Sequence, residues 1–311
     1  MHITVVTPAY NVARFVGAAV TSVLDQTHQD WTMVVIDDGS TDDTAAHVAH
    51  FSDKRVRLLR QPNAGVSAAR NRGLAEVDGE AVLFLDADDW LAPDALTRMA
   101  AALAASRAVA AYGAFWFVAE DGNTVTGCKS GPFPSGDILE RLLVQNLFAN
   151  GGHMLISRDA VAGAGRFRSD IRYGEDWEYW CRLAARGRFA VVPGAAPLLY
   201  VRQRSGSAYL RMASDPAAFS PCMDAIFANP AVVARLGAAR LGVLRRRTEA
   251  ENRWIIGREL IRHGRQTEGL GWLRRSFAGH PSPKRAALLA AAHGLRLLPQ
   301  PLHGPFRRYA A

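Results

Sequence analysis

The sequence predicts an α/β fold: a doubly wound, mostly parallel sheet followed by a helical extension. Over the first 100 residues, β-branched apolar segments alternate with segments of helical periodicity, at a spacing typical of parallel sheets. Beyond Ala217 only helical patterns appear, and Gly264, Pro281 and Pro283 separate them. We therefore expect an α/β domain over residues 1–205 and a helical, basic extension over residues 206–311.

Periodicity and breaker residues define the individual elements. The segment 13–26 repeats apolar residues at helical spacing, and Pro93 suits the first turn of a later helix. In the first 100 residues we predict strands Ile3–Thr7, Met33–Ile36, Val56–Leu59 and Ala81–Leu85, and helices Ala13–Gln26 and Val66–Val77. Later we predict strands Val109–Val118, Thr124–Thr126, Met154–Ser157, Phe189–Val192 and Leu198–Val201, and helices Asp176–Arg186, Glu249–His263, Gln266–Ala278 and Lys284–Leu298.

Composition indicates a folded protein of a reducing compartment. Apolar residues make up 49% of the 311 residues and charged residues 21%, which excludes general disorder. Cys128, Cys181 and Cys222 are odd in number and far apart, so we expect neither a disulfide framework nor a CxxC metal site. The N-terminus shows no signal-peptide pattern. We therefore expect a cytoplasmic protein.

The positive charge is concentrated in the extension. Residues 230–311 hold 16 Lys and Arg against 4 Asp and Glu, a net +12, whereas the preceding part carries a net −4. Leu288, Ala291, Leu295 and Leu298 form an apolar stripe at helical spacing. Such a basic helix binds an anionic membrane surface, here the inner face, or packs onto the first domain, and the sequence leaves both open. We expect no nucleic-acid partner, because no binding module accompanies the charge.

Polar segments follow three of the predicted strands. Thr7–Asn11, Asp37–Ser40 and Asp86–Asp89 each stand where a strand ends. In a parallel sheet these positions lie along the carboxyl edge, where open α/β sheets bind their ligands. We therefore expect the three segments to meet in space and form one binding site.

The third of these segments indicates a divalent cation. Asp86, Asp88 and Asp89 place three carboxylates within four residues, and they repel one another unless a cation or donors lie among them. Hard oxygen ligands suit Mg²⁺ or Mn²⁺, which proteins often share with substrate phosphates. The alternative is a loop in which one Asp caps the helix near Pro93. Because the P-loop and dinucleotide-binding glycine motifs are absent, a metal-bound diphosphate is the simplest ligand.

A second acidic pair opens a predicted helix. In Gly174-Glu175-Asp176-Trp177, the helix dipole favours a carboxylate in the first turn and lowers its pKa. A general base needs the opposite shift, which burial beside Trp177 or Trp180 would supply. The sequence does not decide which of the two influences on the pKa is larger.

Five segments taken together resemble one known family. Val6–Asn11, Ile36–Asp42, Asn63–Asn71, Leu85–Asp89 and Glu175–Asp176 are similar, in order, to family 2 glycosyltransferases of the GT-A fold, a Rossmann-like architecture. The resemblance spans the predicted first domain. It implies a nucleotide-diphosphate sugar as donor, by default a UDP-sugar, a divalent cation (Mn²⁺ or Mg²⁺) and inversion of the anomeric centre. It further implies a saccharide or lipid-linked acceptor in cell-surface polysaccharide or glycoconjugate assembly.

The resemblance also implies a role for individual residues. Asp176 matches the catalytic base, and Asp88 matches the metal-binding residue. The donor nucleotide is expected to contact Thr7, Ala9 and Tyr10 around the nucleobase, Asp38 by a hydrogen bond to the base, Arg70, and Asp86 at the ribose. Contacts with the acceptor or the diphosphate are expected from three further residues: His153, Glu175 and Trp177.

Some polar residues have a structural alternative. A lone histidine beside a strand, such as His153, is more often a hydrogen-bonded structural residue than a ligand contact. Arg202 and Arg204 lie beyond the last matching segment, where they either clamp phosphate or belong to an arginine-rich surface.

Two other functions are compatible with parts of the pattern. A phosphohydrolase would use Asp86 as its nucleophile, but that chemistry expects a Thr or similar group shortly after Asp88, where Asp89 and Trp90 stand. A non-catalytic nucleotide-sugar-binding protein would share the fold. The pairs Asp86/Asp88 and Glu175/Asp176 are both intact in this sequence, which favours an enzyme.

Overall fold

The computed structural model describes residues 1–204, 220–262 and 264–294. The chain divides into two compact units, and each is described by itself. The first unit comprises residues 1–139 and 148–205, and the second comprises residues 140–147 and 206–311. Local sequence patterns do not indicate that the short segment 140–147 groups with the C-terminal helices.

The described part of the first unit alternates strands and helices through most of its length. Its strands are β1 (Ile3–Ala9), β2 (Trp31–Asp37), β3 (Val56–Arg60), β4 (Ala81–Phe84), β5 (Trp90–Leu91), β6 (Ala110–Tyr112), β7 (Phe115–Val118), β8 (Val125–Lys129), β9 (Met154–Ser157), β10 (Phe189–Val191) and β11 (Leu199–Arg202). Its helices are α1 (Ala13–Leu24), α2 (Thr44–Ala49), α3 (Val66–Leu74), α4 (Ala95–Ala104), α6 (Arg158–Ala164) and α7 (Glu175–Arg186). A further helix, α5 (Leu139–Val144), begins with Leu139 in the first unit, and its remaining residues belong to the second unit.

The main sheet confirms the predicted α/β architecture. Its seven strands run in the order β10-β6-β9-β4-β1-β2-β3. Neighbouring strands are parallel except that β9 runs antiparallel to both β4 and β6. The central strands are mostly apolar and almost entirely buried, because helices cover the sheet, although β1 also contains two buried threonines. Ile3 and Val5 of β1 pack in one core cluster with Val16 and Val20 of α1. The carboxyl ends of β1, β2 and β4 therefore share one edge.

A second, four-stranded sheet corrects one prediction. The segment Val109–Val118 is not one strand, because β6 belongs to the main sheet and β7 to the small sheet, ordered β5-β11-β7-β8. The chain turns between them at Gly113, where a Cβ would lie 3.0 Å from Leu198. The apolar run hid this break because both strands are largely buried. The predicted hairpin partner near Thr124–Thr126 is confirmed, since β8 pairs antiparallel with β7.

The described part of the second unit is helical. Besides α5 it contains α8 (Ser220–Ala228), α9 (Pro230–Arg262), α10 (Gln266–Gly279) and α11 (Pro283–Gly294), and α9 is interrupted at Gly237. The helices α9 and α10 approach closely, since a Cβ at Gly269 would lie 2.6 Å from the Gly257 carbonyl oxygen. Their contact buries Trp254, Leu270 and Leu273.

The described helices were also compared with the requirements of a membrane span. No single described helix is both long and apolar enough to cross a bilayer. Ser220–Ala228 and Pro230–Ile261 meet the length and composition requirements only as a pair, and this pair is bent by 88°.

Candidate active site

The loops that follow β1 and β2 are joined to each other. Asn11, which adopts a φ of 51°, donates its backbone N–H to Ser40 Oγ at 3.0 Å, and its Oδ1 accepts from the Thr41 N–H at 2.8 Å. Gly39 takes a φ of 73°, and a Cβ there would lie 2.7 Å from the Asn63 nitrogen. Only glycine allows that turn and that approach. These contacts bring three of the resembling segments together at the carboxyl edge, and two of them are among the three polar segments expected to meet there.

Asp38 holds the loop that precedes α3. It is buried, and its carboxylate accepts hydrogen bonds from Gln61 Nε2 at 2.7 Å and from the N–H groups of Ala64 at 2.9 Å and Gly65 at 2.8 Å. With three donors already in place and 3% of the residue exposed, the carboxylate has little surface left for a nucleobase. We therefore assign Asp38 to the positioning of this loop.

The three residues expected around a nucleobase differ in accessibility. Thr7 and Ala9 are buried in β1, whereas Tyr10 is 49% exposed at the end of the strand. Thr7 Oγ1 is buried and has no hydrogen-bond partner among the described residues. Of the three residues, Tyr10 alone has a side chain that is accessible to a ligand, whereas Thr7 and Ala9 lie in the buried strand.

Arg70 connects two acidic segments that lie far apart in the sequence. From α3, its Nη2 donates to Asp86 Oδ1 at 3.1 Å and its Nη1 donates to Glu175 Oε1 at 3.0 Å. Burial alone would lower the pKa of Arg70, but the charges of Asp86, Glu175 and Asp176 outweigh it and raise the pKa. A permanently charged guanidinium thus joins the end of β4 to the start of α7.

Asp176 lies in the first turn of α7, where Gly174 with a φ of 78° precedes the helix. Burial raises the pKa of Asp176 to about 7, the negative charge of Glu175 adds to this shift, and the charge of Arg70 opposes it. Burial therefore outweighs the influences that lower the pKa of Asp176, which are the charge of Arg70 and a hydrogen bond from the Trp177 N–H in the first turn. A carboxylate with a pKa near neutrality is suited to accept a proton at physiological pH.

Asp88 and Asp89 have different surroundings. Asp88 Oδ2 accepts from Arg204 Nη1 at 2.8 Å, and the Asp88 carbonyl accepts from Arg202 Nε at 3.0 Å. Asp89 is buried and accepts from the Arg202 N–H at 2.8 Å and from Asn150 Nδ2 at 2.6 Å. Burial, followed by the charge of Asp88, raises the pKa of Asp89 well above its usual range. Asp89 is thus a structural residue that joins two loops, and neither Asp89 nor Asp88 caps α4.

The acidic loop fits a divalent cation. Burial and the neighbouring charge of Asp86 raise the pKa of Asp88, so a cation at this position would relieve an unfavourable charge. Among the described residues no group of three or more His, Cys, Asp or Glu side chains forms a complete metal site. The protein would therefore supply carboxylate oxygen, and substrate phosphates and water would supply the other ligands, as is usual for Mg²⁺.

Comparison with known proteins identifies the family. The family model described as Glycosyl transferase family 2 matches residues 4–163. The match includes Asp38, Arg70 and the loop 86–89 and ends before α7. The chain belongs to glycosyl transferase family 2. Among curated relatives of this family 2 protein, the glycosyltransferase GlyA of Streptococcus pneumoniae is 43% identical over 94 residues, 30% of this chain and 14% of that protein. The matches to GlyA and to the next relatives, from Rickettsia, span between 14% and 30% of those proteins.

A further relative and two solved structures extend the comparison. The UDP-Glc:alpha-D-GlcNAc-diphosphoundecaprenol beta-1,3-glucosyltransferase WfgD of Escherichia coli is 40% identical over 92 residues, 29% of this chain and 36% of WfgD. S. aureus TarS 1-349 in complex with UDP-GlcNAc is similar with a TM-score of 0.62, 20% identity and coverage of 94% and 88%. The mannosyltransferase PcManGT from Pyrobaculum calidifontis, in complex with GDP-Man and Mn²⁺, gives a TM-score of 0.58, 21% identity and coverage of 99% and 82%. These structures confirm the predicted GT-A fold.

Two of the expected acceptor or diphosphate contacts are corrected by the structure of the family 2 protein. His153 is fully buried; its Nδ1 donates to the Gly113 carbonyl at 2.9 Å and its Nε2 accepts from the Ala149 N–H at 3.3 Å. Burial lowers the pKa of His153 to about 4, so the ring is neutral at physiological pH. Trp177 is 2% exposed. Both side chains are therefore enclosed by protein, whereas Glu175 is partly exposed and stands next to Asp176.

Asn71 is a residue whose role the sequence did not reveal. Its Nδ2 donates to the Phe167 carbonyl at 2.8 Å, and its Oδ1 accepts from the Phe167 N–H at 2.7 Å. Phe167 stacks on Tyr179 of α7 with 3.9 Å between ring centroids, and the Arg70 guanidinium lies 5.4 Å from the Phe167 ring. Asn71 therefore helps to hold α7, and with it Asp176, against α3. Its only signal in the sequence was its place beside Arg70.

Proposed function

We propose that this protein is a cation-dependent, inverting glycosyltransferase that moves a sugar from a nucleotide-diphosphate donor to a hydroxyl acceptor. The observation that carries the proposal is the single network at the sheet edge. Arg70 joins Asp86 to Glu175, and next to Glu175 stands Asp176, whose pKa is raised to about 7. This arrangement supports the assignment of a proton acceptor beside the acidic loop, which we expect to face the donor.

In the proposed reaction Asp176 accepts the proton of the acceptor hydroxyl. The hydroxyl oxygen forms a bond to the anomeric carbon from the face opposite the leaving group. The bond from that carbon to the diphosphate oxygen breaks, and the nucleoside diphosphate leaves with the electron pair. One displacement of this kind inverts the anomeric centre, so the anomeric configuration of the product is a direct test of this step.

Asp88 is the proposed cation ligand, and Asp86 is proposed to face the donor ribose. The bond from Arg70 to Asp86 fixes the orientation of that carboxylate. When bound, Mn²⁺ or Mg²⁺ would stabilise the negative charge that grows on the departing diphosphate. Tyr10, exposed at the end of β1, is proposed to stack on the nucleobase.

The relatives support a UDP-hexose donor and a lipid-linked saccharide acceptor. The name of WfgD gives UDP-Glc as its donor and a diphosphoundecaprenol-linked sugar as its acceptor. TarS was solved with UDP and with UDP-GlcNAc, and PcManGT with GDP-Man. For this chain we propose a UDP-sugar, and an acceptor from cell-surface polysaccharide or glycoconjugate assembly.

We also propose that the protein acts in the cytoplasm, at the inner face of the membrane. Part of the predicted lipid-facing stripe is internal, because Leu288 packs on the cluster of Trp254, Leu270 and Leu273. Of the other members of the stripe, Ala291 is exposed, and Leu295 and Leu298 lie outside the described residues. We expect the full chain to sediment with anionic phospholipid vesicles and to be released by salt. Equal sedimentation of a chain truncated before Pro230 would contradict a role for the C-terminal helices.

The test of the function is a donor panel. Purified full chain is incubated with UDP- and GDP-sugars, Mn²⁺ or Mg²⁺, and simple or undecaprenyl-linked saccharide acceptors, and release of nucleoside diphosphate is measured. We expect turnover with one UDP-sugar, no turnover by Asp176→Asn, and similar donor binding by both proteins. NMR of the product should show the inverted anomer.

Two outcomes would contradict the proposed function. Binding of a nucleotide sugar with no turnover across the whole panel would favour the non-catalytic alternative. Rapid phosphate release from small phosphoesters, abolished by Asp86→Asn, would favour the phosphohydrolase.

A further inference from the structure

Arg204 contacts the carboxylate that we assign to the cation. It lies two residues beyond β11, and its Nη1 is 2.8 Å from Asp88 Oδ2. Among the described residues, Arg204 is the only cationic side chain within ion-pair distance of the Asp88 carboxylate. Both partners are accessible: the side chain of Arg204 is 35% exposed and that of Asp88 is 26% exposed.

The neighbouring arginine is held quite differently. Arg202 donates from its Nε to the backbone carbonyl of Asp88, and its guanidinium lies between the rings of Phe15 and Trp90, at 4.9 and 4.7 Å. Its backbone N–H is bound by the buried Asp89 carboxylate. Arg202 is therefore part of the scaffold. Arg204, by contrast, makes one polar contact among the described residues, to Asp88, and one ring contact, to Phe15 at 5.1 Å.

The guanidinium of Arg204 and a divalent cation compete for the Asp88 carboxylate. Each requires the same carboxylate, and the two positive charges repel one another at short distance. An ion pair that is partly exposed contributes little to the free energy of unfolding. Replacing the guanidinium at Asp88 with another cation therefore costs little stability.

We propose that Arg204 is a built-in counter-cation that competes with the divalent cation for Asp88. This inference rests on the proposed function for the assignment of Asp88. In the donor-free protein Arg204 neutralises Asp88 and keeps the affinity for a divalent cation low. The diphosphate of the donor offers Arg204 another partner, which releases Asp88. Donor and cation therefore bind together, and by linkage each raises the affinity for the other.

The experiment measures Mn²⁺ binding directly, without turnover. Free Mn²⁺ is monitored by its electron paramagnetic resonance signal during titration of the full chain in the absence of nucleotide. We expect Arg204→Gln and Arg204→Met to bind Mn²⁺ about tenfold more tightly than the parent chain, because the competing charge is gone. Arg204→Met places an apolar side chain of similar length beside Phe15, whereas Arg204→Gln places a polar one. Two variants are used so that a folding defect of one does not decide the result.

Charge and location are controlled separately. Arg204→Lys keeps the charge and should bind Mn²⁺ nearly as weakly as the parent chain. Arg14→Gln is the matched control, because Arg14 also lies against Phe15, at 5.3 Å, but is 80% exposed and does not contact Asp88. It should leave the Mn²⁺ affinity unchanged. Adding Asp88→Asn to Arg204→Met should abolish the tighter binding.

The effect of a nucleotide on Mn²⁺ affinity gives a second readout. Saturating UDP should raise the Mn²⁺ affinity of the parent chain by a larger factor than that of Arg204→Met, because the variant has no competing charge to release. Equal Mn²⁺ affinities of the parent chain and both charge-removing variants would overturn the inference. If the parent chain still transfers sugar from the donor panel, that result leaves the proposed function intact, whereas absence of transfer contradicts the function itself.

Discussion

Two arginines neutralise carboxylates of the same short loop, but in opposite environments. Arg70 reaches Asp86 and Glu175 with its side chain only 6% exposed. Arg204 reaches Asp88 with its side chain 35% exposed. The two aspartates are two residues apart and similarly exposed, 30% for Asp86 and 26% for Asp88, so the difference lies in the arginines. Arg70 is buried and bound by two carboxylates, whereas Arg204 is accessible and pairs with one.

The difference separates a permanent contact from an exchangeable one. Removing one partner of a buried ion pair leaves an uncompensated charge, which is strongly unfavourable. Removing one partner of an exposed pair leaves a charge that water solvates. The loop thus keeps Asp86 fixed by the scaffold and leaves Asp88 available for a cation. Four changes test this comparison.

Arg70→Met should have the largest effect. It leaves Asp86 and Glu175 without their common partner, and we expect a loss of about 3–5 kcal/mol in the free energy of unfolding. Urea denaturation measures this loss, and turnover should disappear with it. Arg14→Met, at an 80% exposed side chain, is the control and should change stability by less than about 0.5 kcal/mol. Equal losses in the two variants would contradict the central role of Arg70.

The pH dependence of turnover should follow Asp176. Because burial raises the pKa of Asp176 to about 7, the base is mostly protonated below that pH. We expect kcat/KM to fall about tenfold for each pH unit below 7 and to level off above it. Asp176→Asn should show no turnover at any pH in this range. A kcat/KM that stays level down to pH 5 would indicate another base.

The raised pKa of Asp176 also affects how the stability of the fold depends on pH. Its folded-state pKa lies above the unfolded value, so the folded chain binds the proton more tightly. The resulting contribution favours the folded state at low pH and is lost as pH rises from about 4 through about 7. Asp176→Asn should therefore melt at a higher temperature than the parent chain at pH 8, and this difference should shrink towards pH 5.

The sequence predicted the edge of the sheet better than the contacts across it. Strand ends place Asp37, Asp86 and Tyr10 on one edge because parallel strands leave no other arrangement. The periodicity of a strand cannot show that His153 faces the interior, since a buried strand is apolar on both sides. For the same reason the run through Gly113 looked continuous.

The sequence also did not predict which residues far apart in the chain pair with one another. Arg70 and Glu175 are 105 residues apart, and Arg204 and Asp88 are 116 residues apart. Nothing in local spacing pairs them, because several arginines near each carboxylate were equally available. The pKa of Asp176 was open for a related reason: it depends on how deeply the first turn of α7 is buried, which only packing determines.

Asn71→Ala should have an intermediate effect. It leaves the N–H and carbonyl of Phe167 without their partner in a buried site, and we expect a loss of about 1–3 kcal/mol in the free energy of unfolding. Because Phe167 packs on α7, kcat should fall about tenfold while the KM for the donor changes little. Asn123→Ala, at an exposed turn, should alter neither. A change in donor KM alone would assign Asn71 to donor binding instead of positioning.

Arg204→Met should have the smallest effect on stability. The Arg204–Asp88 pair is partly exposed, so its loss should change the free energy of unfolding by less than about 1 kcal/mol. Raising the ionic strength from 0.05 to about 0.5 M should reduce even this difference, because exposed charges are screened, whereas the penalty of Arg70→Met should persist. Denaturation of both variants at the two salt concentrations measures this contrast. If the two arginines responded alike to salt, the division into a permanent and an exchangeable contact would fail, and Asp88 would be as firmly committed to the scaffold as Asp86.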